Sequence, residues 1–414
     1  MLLCLQTAGV FMAVILLAAV SVVVLFVLAG FYFLRFIVLL FKNRFVGIGC
    51  VVGIFGLASF LMYHSPSDLY DRYLQPDTCI KKSSKTTITA HLEEAIGTAD
   101  NVIYCASFQK AWDKLHDNVF KEDIQLASHP VMAQELNKQL LRSEDLSEDS
   151  YVAEAGPWTA ELVTSINRKL QEKFRDEATG YSISKPPNDR RRIIAYAFLY
   201  KKLEFPTKFE KLNNPIHFKA SGGETPLKAF GIDVFSTSNE VHRRLSGQVR
   251  VLYYRNSDDF TLSLSSKSKD DEIILAKVMP GKTLLETYEK MTTMIAPAST
   301  SLVDGETLRV PKVDFDLTHH FKELENQDIL NRGWDDWFIE AAEQQLKFRL
   351  DETGAVLRSR VFLGGALKEE APAPTSEPRQ FIFDKPFLIC LKQKNGRLPY
   401  FSMWVNNPEL MLRP

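Results

Sequence analysis

Cysteine is scarce and badly spaced. Cys4, Cys50, Cys79, Cys105 and Cys390 are the five in 414 residues, and their spacing offers no disulfide framework. Cys105 and Cys390 sit in apolar runs and are expected to be small buried hydrophobes. An excess of one charge is also missing: 50 Lys and Arg stand against 51 Asp and Glu, which gives no reason to expect nucleic acid as a partner. No His, Cys and carboxylate group has metal-ligand spacing. His319 and His320 are adjacent, so on a strand or helix they diverge, and no metal or cofactor is expected.

A third absence is local. Met1 to Leu34 and Phe45 to Tyr63 carry no charged side chain. Roughly 20 apolar residues span a bilayer, so residues 1–63 read as a two-helix transmembrane anchor, with helices over about 9–34 and 45–63. The alternative is one anchor plus an interfacial helix. A secretory signal would carry its charge ahead of the apolar run; here Arg35, Lys42 and Arg44 follow it. That basic loop should stay cytoplasmic, which places residues 64–414 on the extracytoplasmic side of the membrane. Two such helices without charge or repeat make a poor transport pathway.

Residues 64–85 read as a polar linker. The pattern predicts a helix from about Thr86 with Leu92, Ala95 and Ile96, then a strand over Val102 to Cys105 running into an amphipathic helix to Leu115. Residues 120–190 read as helix-rich, with Leu162, Ile166, Leu170 and Phe174 at helical spacing. Ile193 to Leu199, Gln248 to Asp259, Phe260 to Leu264 and Glu272 to Val278 read as strands, and Leu284 to Ile295 as a helix. Val313, Phe315 and Leu317 alternate as on a strand buried on one face. Trp334 to Leu350 goes from helical to strand spacing. Asn395-Gly396 marks a hairpin turn.

The most specific stretch is Phe381-Ile382-Phe383-Asp384-Lys385-Pro386-Phe387-Leu388-Ile389-Cys390-Leu391. Pro386 cannot donate to a ladder, so it should separate two strands. Phe387 to Leu391 should be buried on both faces. This stretch resembles, position for position, the C-terminal signature of the serpin family. Further similarities lie in family order: Asn101 to Leu115, Arg192 to Phe209, Leu308 to Leu317, Asp351 to Gly354, and Leu398 to Pro408. The resemblance covers about residues 86–414. It implies an α+β fold, a serpin-like multi-sheet domain with surrounding helices, preceded here by the two transmembrane helices. A short interval between Asn101 and Tyr196 implies abbreviated helices or edge strand.

A serpin is not a catalyst. A protease attacks its reactive loop, and the cleaved loop enters the main sheet. By resemblance the loop spans about 354–380, its hinge is Glu352, Gly354, Ala355 and Leu357, and Lys368, Arg360 or Arg358 precedes the scissile bond. These basic residues would suit the acidic S1 pocket of a trypsin-like serine protease. The shutter of the sheet would be Ser107, Tyr196 and Gln344. Alternation puts Ala355, Leu357, Ser359, Val361, Leu363 and Gly365 on one face of an inserted strand and both arginines on the other, expected to be exposed. Leu357 is bulky for early entry, and Tyr196 and Gln344 depart from the family's Asn and His. Two functions follow as expectations: a membrane-anchored protease inhibitor, or a non-inhibitory binding or scaffold protein of the same fold.

Overall fold

The computed structural model describes residues 79–183, 192–233, 239–296, 299–339, 342–357 and 378–414. The expected membrane anchor, most of the linker, and Arg358, Arg360 and Lys368 lie outside the described residues. Among the described residues no helix is long and apolar enough to cross a membrane.

The chain opens with β1 (Thr86–Thr89) and β2 (Asn101–Cys105), then α1 (Ser107–Lys114), which runs into a π-helical turn, and α2 (Val131–Asn137). Strand β3 (Tyr151–Pro157) precedes α3 (Ala160–Phe174). Next come β4 (Ile193–Leu199), β5 (Lys201–Glu204), β6 (Glu210–Ala220), β7 (Gly223–Ile232), α4 (Asn239–Ser246), β8 (Val249–Asn256), β9 (Asp259–Leu264), β10 (Asp271–Lys277) and α5 (Leu284–Met294). The remainder is strand: β11 (Thr300–Ser301), β12 (Thr307–Pro311), β13 (Val313–His320), β14 (Gln327–Asp328), β15 (Phe338–Ile339), β16 (Glu343–Asp351), β17 (Gly354–Leu357), β18 (Gln380–Ile382), β19 (Phe387–Gln393) and β20 (Phe401–Val405).

These strands build an α+β domain of several sheets. The largest has the order β1-β2-β20-β19-β10-β9-β8-β11, and a second has β18-β12-β7-β6. The third, β13-β16-β17-β5, meets the pair β3-β4 end to end, because only Tyr200 separates β4 from β5. These two pieces, continuous through Tyr200 but joined by no ladder among the described residues, are together called the main sheet below. Helix α3 lies over its β3-β4 part, packing Ile166, Leu170 and Phe174 on Val152 and Phe198. Thr159 starts that helix by accepting from Leu162 N at 3.2 Å, which satisfies one free amide of the first turn.

Strand β19 explains the specific stretch. Phe387 to Leu391 are all 0% exposed, since β10 and β20 flank the strand and both faces are covered. Pro386 stands between β18 and β19, which belong to different sheets. Asp384 accepts from buried Lys277 at 2.6 Å, and Lys277 and Lys385 reach Asp258 at 2.8 and 2.6 Å. Hydrogen bonds from Lys277, then Lys385, hold the Asp258 carboxyl down at about 2. Asn101 ties the first strands to the last: its Oδ1 accepts from Asn406 N at 2.8 Å and Asn407 N at 3.0 Å.

Three expectations are corrected. Thr86 begins a strand, not a helix, because Thr86-Thr87-Ile88-Thr89 is β-branched throughout and pairs in parallel with β2. Within the helix-rich interval, Tyr151–Pro157 is a strand paired with β4. The helical spacing after Trp334 forms no helix; Phe338 and Ile339 instead pair with β14. Cys79, Cys105 and Cys390 are free, the last two buried.

Candidate functional site

The hinge turn joins β16 to β17. Thr353 N donates to Asp351 Oδ1 at 2.8 Å, closing a tight turn. Gly354 follows with φ +145°, and a Cβ there would lie 2.2 Å from the Leu203 carbonyl oxygen. Only glycine fits that approach. The carbonyls of Glu352 and Thr353 accept from Phe209 N and Phe205 N, each at 2.9 Å. The turn is therefore fixed to the segment after β5 as well as to β16.

The Glu352 side chain is buried and bonded to Lys312, with Lys211 at 3.4 Å. Burial pushes its carboxyl up, but the hydrogen bond and charge of Lys312, aided by Lys211, outweigh burial and hold it below the usual range. Lys312 belongs to the Pro311-Lys312 motif, so the signal for this partner was present in the sequence. Its pairing was not, because 40 residues separate the two.

From Gly354 the chain runs as β17, antiparallel to two strands at once. Ala355 and Leu357 face Leu350 and Phe348 of β16, and Leu203 and Lys201 of β5. The first four residues of the expected loop are thus already a central strand. Leu357, the bulky hinge residue, is 1% exposed within it. Val356 points the other way and packs at the margin of the cluster under α3. That face is covered at Val356 by the cluster under α3, while Arg358 and Arg360 lie outside the described residues.

Among the described residues, no ladder pairing joins β4 to the Glu343–Lys347 part of β16. Each offers one strand edge to the gap. On the core side, Gln344 Nε2 donates to Ser107 Oγ at 2.8 Å and to the Cys105 carbonyl at 3.2 Å. Gln344 Oε1 is buried with no protein partner. Tyr196 does not join them. Its hydroxyl donates to the Tyr181 carbonyl at 2.8 Å, on the α3 face. Strand alternation decides this: the neighbouring Ala195 takes the core face.

Two further groups escaped the sequence reading. Lys201, directly opposite Leu357, is buried and donates to Asp271 at 2.9 Å, while Tyr400 OH donates to the same carboxylate at 3.1 Å. Lys201 opens the charged strand Lys201-Lys202-Leu203-Glu204, so nothing in its sequence signalled burial. At the other end of the expected loop, Arg379 is bonded through both Nε and Nη2 to buried Glu306, whose second oxygen also accepts from Val303 N. Both ends of the 358–377 segment are therefore moored.

No protein-family model and no curated protein matches this chain. Solved structures do. A highly specific serpin of the insect Tenebrio molitor is 13% identical with a TM-score of 0.42, over 76% of this chain and 92% of its own. Mouse protein-Z dependent protease inhibitor is 12% identical with a TM-score of 0.45, over 74% and 91%. Thyroxine-binding globulin complexed with thyroxine is 12% identical with a TM-score of 0.42, over 74% and 93%.

Proposed function

We propose that residues 86–414 form a serpin-like domain that offers the 358–377 segment to a trypsin-like serine protease and takes the cleaved segment into its main sheet. The observation that carries this reading is β17: the hinge already pairs on both sides, and the gap beyond it continues the same line. The apolar character of Val361 and Leu363 suits the core face that Ala355 and Leu357 occupy. In this reading the chain supplies no catalytic group. The attacking serine and its base belong to the protease, and Lys368, Arg360 or Arg358 supplies the cation for its S1 pocket. The two apolar N-terminal runs would hold the domain at the outer face of a membrane.

The test is incubation of the full chain with trypsin, read by denaturing gel and by melting temperature. An SDS-stable adduct together with a large rise in melting temperature of the cleaved chain is expected. Burying Val361 and Leu363 would stabilise by roughly 1.5–3 kcal/mol each. Cleavage with no adduct and no rise would sink the inhibitor reading. A second reading, a non-inhibitory binding protein of the same fold, is favoured by one observation. Arg358 and Arg360 would enter on the Val356 side, beside the aromatic cluster under α3, where unpaired charge is costly.

A further inference from the structure

We infer that the outer edge of β13, together with the Glu409 carboxylate, is a peptide-binding site that the chain's own segment 80–86 occupies, so that this segment is an autoinhibitory strap. The site lies on the far side of β13 from β16 and β17, and the protease reading does not enter. β13 is the end strand of its sheet, with β16 on one side. On the other side, Ile80 N donates to the Asp314 carbonyl at 3.1 Å, and Asp316 N donates to the Ile80 carbonyl at 2.9 Å. This is parallel pairing centred on Phe315. The C-terminal tail takes the neighbouring stretch: Met411 bridges Val313, and Leu412 N donates to the Lys312 carbonyl at 2.9 Å. An end strand is a template for any extended chain of matching chemistry, and here the strap fills that place from Asp314 to Asp316.

Glu409 latches the other end of the strap. Its Oε1 accepts from Ser84 N and Ser84 Oγ at 2.5 and 3.0 Å, and its Oε2 from Lys85 N and Thr86 Oγ1 at 3.0 and 2.9 Å. Asn407 Oδ1 accepts from Glu409 N at 3.0 Å and fixes the carboxylate from behind. Burial raises the Glu409 carboxyl, but the Ser84 amide, the Thr86 hydroxyl and the Lys85 amide outweigh burial and hold it below the usual range. Charge agrees with the pairing: the strap brings Lys81, Lys82 and Lys85 to an edge that carries Asp314, Asp316 and Glu409. Lys81 to Lys85 are exposed, and Ile80 is the strap residue that packs on the core. From Thr86 onward the chain is held by its own ladder with β2, so the strap can leave while β1 stays in place. The partner that fits is an extended segment of another protein, an apolar residue followed by lysines and serines. Main-chain bonds to β13 and the Glu409 carboxylate would hold it.

The test uses the full chain in detergent and a fluorescent peptide with the sequence of residues 80–86, read by anisotropy. Ile80→Pro with Ser84→Pro removes two strap donors and leaves β13 and Glu409 intact. That strap variant should bind the peptide at least about tenfold more tightly than the wild type, whose site is filled. Adding Glu409→Ala to it should weaken the peptide at least about tenfold, because several donors lose a charged acceptor. Hydrogen exchange of the β19 amides checks that each variant is folded. A wild type that binds as tightly as the strap variant would overturn the site. So would a folded strap variant that does not bind, or binding untouched by Glu409→Ala. A second measurement needs no variant. In the wild type the Asp316 amide, whose acceptor is the Ile80 carbonyl, should exchange at least about tenfold faster than the β19 amides, because the strap opens locally. Equal rates would mean that the strap leaves only on global unfolding, and would overturn the autoinhibitory role.

Discussion

The eight-stranded sheet and the main sheet use similar residues to opposite ends. In the first, β19 is paired from Leu388 to Gln393 by β10 and from Phe387 to Leu391 by β20, and every side chain from Phe387 to Leu391 is buried. In the second, β16 pairs with β13 from Glu343 to Leu350 on one edge, while among the described residues its other edge pairs from Phe348 to Asp351. The first sheet is closed and has nothing left to gain. In the second, among the described residues, no ladder joins β4 to the Glu343–Lys347 part of β16. Around that edge α3 packs on β3-β4, Glu352 is bonded to Lys312, and Phe338 bridges Arg192.

Breaking the closed sheet should have the largest effect. Phe387→Ala removes a fully buried ring that packs 5.0 Å from Phe383, and should cost about 3–5 kcal/mol in chemical denaturation. A cost under about 1 kcal/mol would contradict the packing described.

Next comes the mooring of the open sheet. Glu352→Gln leaves Lys312 buried beside a neutral partner and should cost about 3 kcal/mol, the lower end for breaking a buried pair, since Lys211 also screens the site. The sign of the pH dependence follows from the lowered Glu352 carboxyl. Its contribution is complete above the unfolded carboxylate value and is lost as the pH falls through the lower folded value. The stability gap between wild type and Glu352→Gln should therefore be constant above about pH 5 and close on acidification. A gap that widens in acid would contradict the pairing.

Gly354→Ala sharpens the comparison at the hinge. A Cβ 2.2 Å from the Leu203 oxygen must displace β17 from β5. The cost should be about 1–3 kcal/mol, and amides of Ala355 to Leu357 should lose hydrogen-exchange protection while β19 keeps its own. The smallest effect belongs to Gln344→Ala. It deletes the hydrogen bonds to Ser107 and to the Cys105 carbonyl, which links β16 to β2 of the eight-stranded sheet, at a cost of about 1–2 kcal/mol read in chemical denaturation.

Much of the closed sheet could be read in advance, because a strand buried on both faces shows as an unbroken apolar run. The alternation of Val313, Phe315 and Leu317 announced β13 in the same way, and those side chains are buried. Thr86 was misread because a short parallel edge strand has no period of its own, and Leu92, Ala95 and Ile96 imitated a helical stripe. Tyr196 was placed beside Ser107 and Gln344 by position in the chain. A single residue of register carried it to the opposite face.

The sequence by itself determined the local elements: the apolar run of β19, the break at Pro386, the glycine at 354 and the acidic turn before it. Each follows from side-chain chemistry or backbone freedom within a few residues. Only the tertiary structure decided that Glu352 meets Lys312, that Lys201 is buried against Asp271, that Leu357 lies between β16 and β5, and that Phe338 bridges Arg192. Those pairings join residues tens to more than a hundred positions apart, and their energies depend on which strand edges the folded sheets leave open.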